Sequence, residues 1–218
     1  MTPARPRALL FDWDNTLIDS WDSIHHALNV TLEAMGHAPW SFEETRARVR
    51  TSARDSFPRR FGARAPEAAE IFYRTFEADH LEKLRERDGA GDMLRVLAKV
   101  ERLYLAVVSN KQGYLLRREV AHLGWEDYFD RLVGASDAAR DKPASDAVEL
   151  ALAGSGLAPG PEVWFVGDTD IDMLCAVNAG CLPVLLRAAP PGRGEFGETP
   201  PQLHVTSCAD VVEAVRAL

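Results

Sequence analysis

The residues best suited to chemistry begin with two carboxylates one residue apart, Asp12 and Asp14, which close the apolar run Leu9-Leu10-Phe11. Side chains alternate along an extended segment, so the two acids can share a face. Acids this close repel each other, and a cation, a proton or solvent must offset the repulsion. A second acidic group, Asp168 with Asp172, follows the apolar run Val163-Trp164-Phe165-Val166-Gly167, and Asp170 between them reads as an exposed helix cap. Ser109-Asn110 ends the run Leu103 to Val108, and Lys142 precedes Pro143 at the head of a helical stretch. Singly these features are ordinary, since Asp-rich turns and Ser-Asn caps are common and a lone lysine is usually a surface residue. Their order along the chain, each at a strand end or a helix start, is what gives them weight. Asp12 and Asp168 can then reach one metal ion, and Asp172, one helical turn beyond Asp168, can orient a water bound to it.

The elements that must position these residues fall into two kinds. From Ser20 to Gly36, Trp21, Ile24, Leu28, Leu32 and Met35 recur three or four apart, which predicts an amphipathic helix. Helices are also expected at Ser41 to Val49, from about Ser52 to Phe61, and from Pro66 to about Arg87. No strand is evident in this block. After Asp88-Gly89-Ala90-Gly91 apolar runs alternate with helical segments up to a last edge strand at Leu203-His204-Val205 and a closing helix from Cys208 to Leu218. That alternation implies right-handed crossovers and a parallel sheet, with ligands beyond the carboxyl ends of its strands. The expected fold is α/β, a Rossmann-like core with a parallel sheet and an inserted α-helical cap. Residues 1–17 and 88–218 form the core in this reading and residues 18–87 the cap.

The chain has 218 residues, 46% of them hydrophobic and 27% charged, which suits an ordinary globular protein. No apolar run reaches the length of a membrane span, and a cytoplasmic location follows as the default. Cys175, Cys181 and Cys208 have no metal-binding or redox spacing and read as small buried apolar residues. A net charge of −8 argues against nucleic-acid binding, although local positive charge in a cleft can still receive a small anion. The arginines between Arg46 and Arg64 read mostly as a solvated helical face.

Asp12-Trp13-Asp14-Asn15-Thr16 after an apolar strand resembles the first motif of the haloacid dehalogenase superfamily, with Asn15 where a glycine is usual. Asn tolerates positive φ better than other side-chain-bearing residues, so the departure is mild. Ser109, Lys142-Pro143 and Gly167-Asp168-x-x-x-Asp172 resemble the remaining motifs in order, and the likeness covers nearly the whole chain. The resemblance implies an Mg²⁺-dependent phosphatase acting on a small phosphorylated metabolite. Asp12 is then the nucleophile, Asp14 the acid and base, and Lys142 the positive charge beside them. Asp12, the Asp14 backbone carbonyl and Asp168 hold the metal, with Asp172 behind it. Ser109 and Asn110 are expected to meet the phosphoryl oxygens.

The helical insertion resembles the caps of a subgroup that includes phosphoglycolate phosphatases and β-phosphoglucomutases, with phosphoglycolate a first guess for the substrate. Arg50 or Arg54, in the turn between cap helices, can pair with a carboxylate or second phosphate of the substrate. Two alternatives stay open: a phosphomutase, and a catalytically silent protein that binds a phosphometabolite or a protein partner. No membrane partner is expected, and a monomer and a homodimer are equally compatible with the sequence.

Overall fold

The computed structural model describes residues 3–218. The chain opens with β1 (Ala8–Phe11), a short strand β2 (Ile18–Asp19), and the helices α1 (Trp21–Ala34), α2 (Phe42–Arg48), α3 (Ala53–Phe61) and α4 (Ala65–Asp79). A second short strand, β3 (Arg85–Glu86), leads to α5 (Ala90–Leu97), β4 (Tyr104–Gln112), α6 (Gly113–Leu123), β5 (Arg131–Ala135) and α7 (Asp146–Leu152). The remainder is β6 (Val163–Gly167), α8 (Asp170–Asn178), β7 (Leu182–Leu186), β8 (Leu203–Val205) and α9 (Cys208–Arg216).

Six parallel strands form one sheet in the order β5-β4-β1-β6-β7-β8, as the alternation of strands and helices predicts. β1 lies inside the sheet, with Phe11 level with Val107 of β4 and Val166 of β6. Asp12 and Asp168 directly follow β1 and β6 at this end of the sheet, and Ser109 lies at the same end within β4, where the pairing with β5 shifts between Val108 and Gln112. Period-two alternation sends Leu9 and Phe11 to one apolar layer, with Met93, Leu94, Leu116, Val120 and Val211 from α5, α6 and α9. Ala8 and Leu10 enter the opposite layer, with Val148 and Ala151 of α7 and Cys175 and Ala176 of α8. Burying each large side chain in such a layer is worth about 1.5–3 kcal/mol. All three cysteines are free and buried.

The helices α1 to α4 form a small core of their own from Leu28, Leu32, Met35, Phe57, Phe61 and Ala68. Ser41 and Glu44 close a capping box at the start of α2, and Pro66 lies in the first turn of α4, as their positions predict. Ser20 occupies the N-cap of α1 without a side-chain hydrogen bond to it. Ala27, Phe76 and Leu115 join α1 and α4 to α6 beneath the cap.

One expectation is corrected here. The helix after Pro66 ends at Asp79 rather than near Arg87, and Arg85–Glu86 pairs antiparallel with Ile18–Asp19. The segment beyond His80 carries too few apolar residues to hold a helical stripe against the cap. Its partner lies far away in sequence, so pairing of this kind leaves no local pattern to read. The ribbon joins the two points where the chain leaves and re-enters the core, and Arg87 N donates to Leu17 O at 2.8 Å beside it.

Candidate active site

Leaving β1, the chain places Asp12 and Asp14 on the cleft side and the fully buried Trp13 in the core. Asn15 has φ of +66°, and its side-chain oxygen accepts from Ser20 N at 3.3 Å, which fastens the turn that replaces the usual glycine. Thr16 Oγ1 donates to Asp168 Oδ1 at 3.0 Å, tying the end of this turn to the end of β6.

Asp12, Asp168 and Asp172 each direct a carboxylate oxygen to a common point, these oxygens lying within 4.8 Å of one another. Lys142 Nζ donates to Asp12 Oδ1 at 2.6 Å and to Asp172 Oδ1 at 2.8 Å. The other oxygen of Asp172 accepts from Thr169 N and Oγ1, so Asp172 is also the capping-box residue of α8. Thr169, rather than the expected Asp170, is the N-cap of that helix. Gly167 is required beside it, because a Cβ there would come 2.3 Å from the Cβ of Asp172.

The electrostatics are those of a site short of positive charge. Burial pushes Asp12 up to about 7, with Lys142 opposing and Asp172 and Asp14 reinforcing the rise. Burial also drives Asp168 well above the usual carboxylate range, followed by the fields of Asp172 and Asp12. Lys142 is raised as well: burial lowers it, but Asp12 and Asp172 outweigh that and hold it charged. One ammonium against three converging carboxylates leaves room for a hard cation with oxygen ligands, and the donor set fits Mg²⁺ in charge and chemistry.

The carboxylate of Asp14 stands apart from this group. Its Oδ1 forms a 2.7 Å ion pair with Lys111 Nζ, and Lys111 Nζ donates to both oxygens of Glu119 at 2.8 and 2.7 Å. Glu119 also accepts from Trp13 Nε1 at 2.6 Å and pairs with His80 Nδ1 at 2.9 Å. None of Lys111, Glu119 and His80 stood out in the sequence. Lys111 directly follows Ser109-Asn110, and its position next to that pair was the one available signal.

Ser109 Oγ accepts from Lys111 N at 3.1 Å, which leaves its hydroxyl hydrogen for the cleft. Asn110 is more committed than expected. Its side chain accepts from Lys142 N at 3.0 Å and donates to Lys142 O at 3.2 Å, clamping the backbone that carries the lysine. One amide N–H remains for a ligand. α6 begins only at Gly113, so its first amides stand further from Asn110 than the sequence suggests.

The cap arginines both have partners within the protein. Arg54 pairs with Asp141 at 3.6 Å and donates to Ala139 O, and it lies outside the wall of the cleft. Arg50 lines the cleft, but its guanidinium is paired with Asp170 at 3.2 Å and donates to the carbonyls of Arg46 and Val49. Both guanidiniums are engaged by the protein itself, and each stays more than a third exposed. The cleft is a cavity of about 470 Å³ that runs from Asp12 and Lys142 up to Ile24, Leu28, Phe57 and Phe72 of the cap. Among the described residues no helix is long and apolar enough to cross a membrane.

Residues 9–185 match the family described as haloacid dehalogenase-like hydrolase. The chain is 30% identical over 186 residues to a phosphoglycolate phosphatase of Rhodobacter capsulatus, covering 82% of this chain and 83% of that protein. It is 26% identical over 210 residues to the pyrophosphatase PpaX of Listeria welshimeri, covering 95% of each. A haloacid dehalogenase-like hydrolase from Streptococcus pneumoniae shares the fold, with a TM-score of 0.81 at 23% identity over 96% of this chain and 98% of that one.

Proposed function

We propose that this chain, which belongs to the haloacid dehalogenase-like hydrolase family, is an Mg²⁺-dependent phosphatase that hydrolyses a small phosphomonoester through an aspartyl-phosphate at Asp12. The observation that carries the reading is the convergence of Asp12, Asp168 and Asp172 within 4.8 Å, with Lys142 against Asp12. Asp12, the Asp14 backbone carbonyl and Asp168 would hold the metal, with Asp172 supporting its water. When bound, Mg²⁺ supplies positive charge for the phosphoryl oxygens and for the carboxylates around it.

Lys142 has three N–H donors and spends two on Asp12 and Asp172, so its third can meet a phosphoryl oxygen. The Ser109 hydroxyl and the remaining Asn110 N–H offer two more donors to the same group. Held in this way, the ester presents phosphorus to a carboxylate oxygen of Asp12. The Asp12 O–P bond forms as the bond to the leaving oxygen breaks, and Asp14 gives that oxygen its proton. Asp14, now a carboxylate, takes a proton from water as the water oxygen attacks phosphorus. Inorganic phosphate leaves and Asp12 and Asp14 return to their starting forms.

The cap side of the cavity mixes the apolar Ile24, Leu28, Phe57 and Phe72 with the arginines Arg48, Arg50, Arg59 and Arg60, which suits an organic leaving group that carries negative charge. The apolar side chains favour an organic phosphomonoester, as in the name of the Rhodobacter relative, over a pyrophosphate, as in the name of the Listeria one. The test is phosphate release from an aryl phosphate, phosphoglycolate, other phosphorylated metabolites and pyrophosphate, each with Mg²⁺ and with chelator. Mg²⁺-dependent release from organic esters supports the reading, and absence of release from every ester removes it.

A further inference from the structure

Of the buried charges in this protein, Lys111 and Glu119 are the pair that the proposed chemistry leaves without a task. Lys111 is buried and Glu119 is fully so, although charged side chains are seldom buried without a specific partner. A lysine beside a phosphate cleft suggests a phosphate ligand, but the donors are already assigned. Both Glu119 oxygens accept from Lys111 Nζ at 2.8 and 2.7 Å, and Asp14 Oδ1 forms an ion pair with it at 2.7 Å, so three carboxylate oxygens enclose the one ammonium. Lys142 keeps a donor for the substrate, whereas Lys111 is buried among the carboxylates of Asp14 and Glu119.

We infer that Lys111 is a positioning residue for Asp14, fixing one carboxylate oxygen so that the other faces the leaving group, and that the cap helix α4 holds Lys111 in place. This deepens the phosphatase reading and rests on it. Glu119 is the anchor: Lys111, Trp13 and His80 surround its two oxygens, and these partners together outweigh its burial and keep it ionised. His80 is the residue that ends α4, and its Nδ1 lies 2.9 Å from Glu119. Phe76, one turn earlier, places its ring 4.8 Å from Lys111 Nζ and 5.3 Å from the His80 ring. Trp13 supplies the link within the catalytic turn itself, since alternation aims it away from the cleft and onto Glu119. The seating of α4 against the core is thereby connected, through His80, Glu119 and Lys111, to the orientation of the acid and base.

The experiment compares an alkyl phosphate, whose alkoxide needs a proton to leave, with dinitrophenyl phosphate, whose phenolate does not. Lys111→Met is made together with Glu119→Gln so that no buried charge is left alone, and Glu119→Gln is made singly as a milder variant; thermal melts establish that each is folded. A positioning role predicts a loss in kcat/KM of about 100-fold on the alkyl ester and less than about threefold on the dinitrophenyl ester, in line with the usual worth of general acid catalysis. In an Asp14→Asn background the same substitutions cause no further loss. Equal losses on both esters, or additive losses with Asp14→Asn, would overturn the inference. Wild type inactive on both esters with Mg²⁺ would instead remove the phosphatase reading on which it stands.

Discussion

Lys142 Nζ lies 2.6 Å from Asp12 Oδ1, and the backbone of that lysine is clamped on both sides by the Asn110 side chain. The ammonium is the cation that directly offsets Asp12 in a pocket shared with two further carboxylates. Its loss leaves those carboxylates buried and uncompensated. Lys142→Ala is expected to cost about 3–5 kcal/mol of metal-free stability, the usual result of breaking a buried ion pair from one side. Mg²⁺ should restore part of that stability while activity stays at least about 100-fold below wild type. Urea unfolding with and without Mg²⁺, beside ester hydrolysis, checks both parts; a variant as stable as wild type without metal contradicts this account of the charge balance.

Metal binding should depend on pH in one direction. Burial places Asp12 at about 7, above its unfolded value. A raised carboxyl favours the protonated form on folding, so the metal-free protein loses this contribution as pH rises from about 4 through about 7. The cation binds the carboxylate form and competes with that proton. The rise in Tm on adding Mg²⁺ is therefore larger near pH 8 than near pH 6. A rise that is equal at both, or larger at the acid side, would contradict the competition.

Arg54 has partners of its own within the protein. Its guanidinium faces Asp141 and the Ala139 carbonyl, outside the cleft. Arg54→Ala is expected to change KM by less than about twofold for substrates with anionic and with neutral tails alike, because its guanidinium is turned to Asp141 and the Ala139 carbonyl rather than into the cleft. A tenfold or greater rise in KM confined to anionic substrates would return Arg54 to the substrate site.

The contrast between Asp12 and Lys111 shows what the sequence discloses. Asp12, Ser109 and Asp168 each follow an apolar strand, and a parallel sheet brings such strand ends to one edge, so their meeting could be read from local pattern. Lys142 could be placed by its order among those motifs. Lys111 could not, because its meaning lies in Glu119, eight residues on, and in His80, thirty-nine residues before Glu119. Each of the three looks like a surface residue until the packing of α4 against α6 is known. The β2/β3 ribbon left no local pattern for the same reason, and the pairing of Arg54 with Asp141 is hidden because Asp141 lies on a loop distant in sequence.

The central claim is that the phosphoryl group passes through Asp12. Enzyme quenched in acid during turnover of an ester with Mg²⁺, then reduced with borohydride, converts an aspartyl-phosphate into homoserine, which peptide mass spectrometry can locate. The account predicts homoserine at position 12 with ester and Mg²⁺ present, and none without the ester. Rapid turnover with Asp12 unmodified, or with the label on another carboxylate, would contradict it.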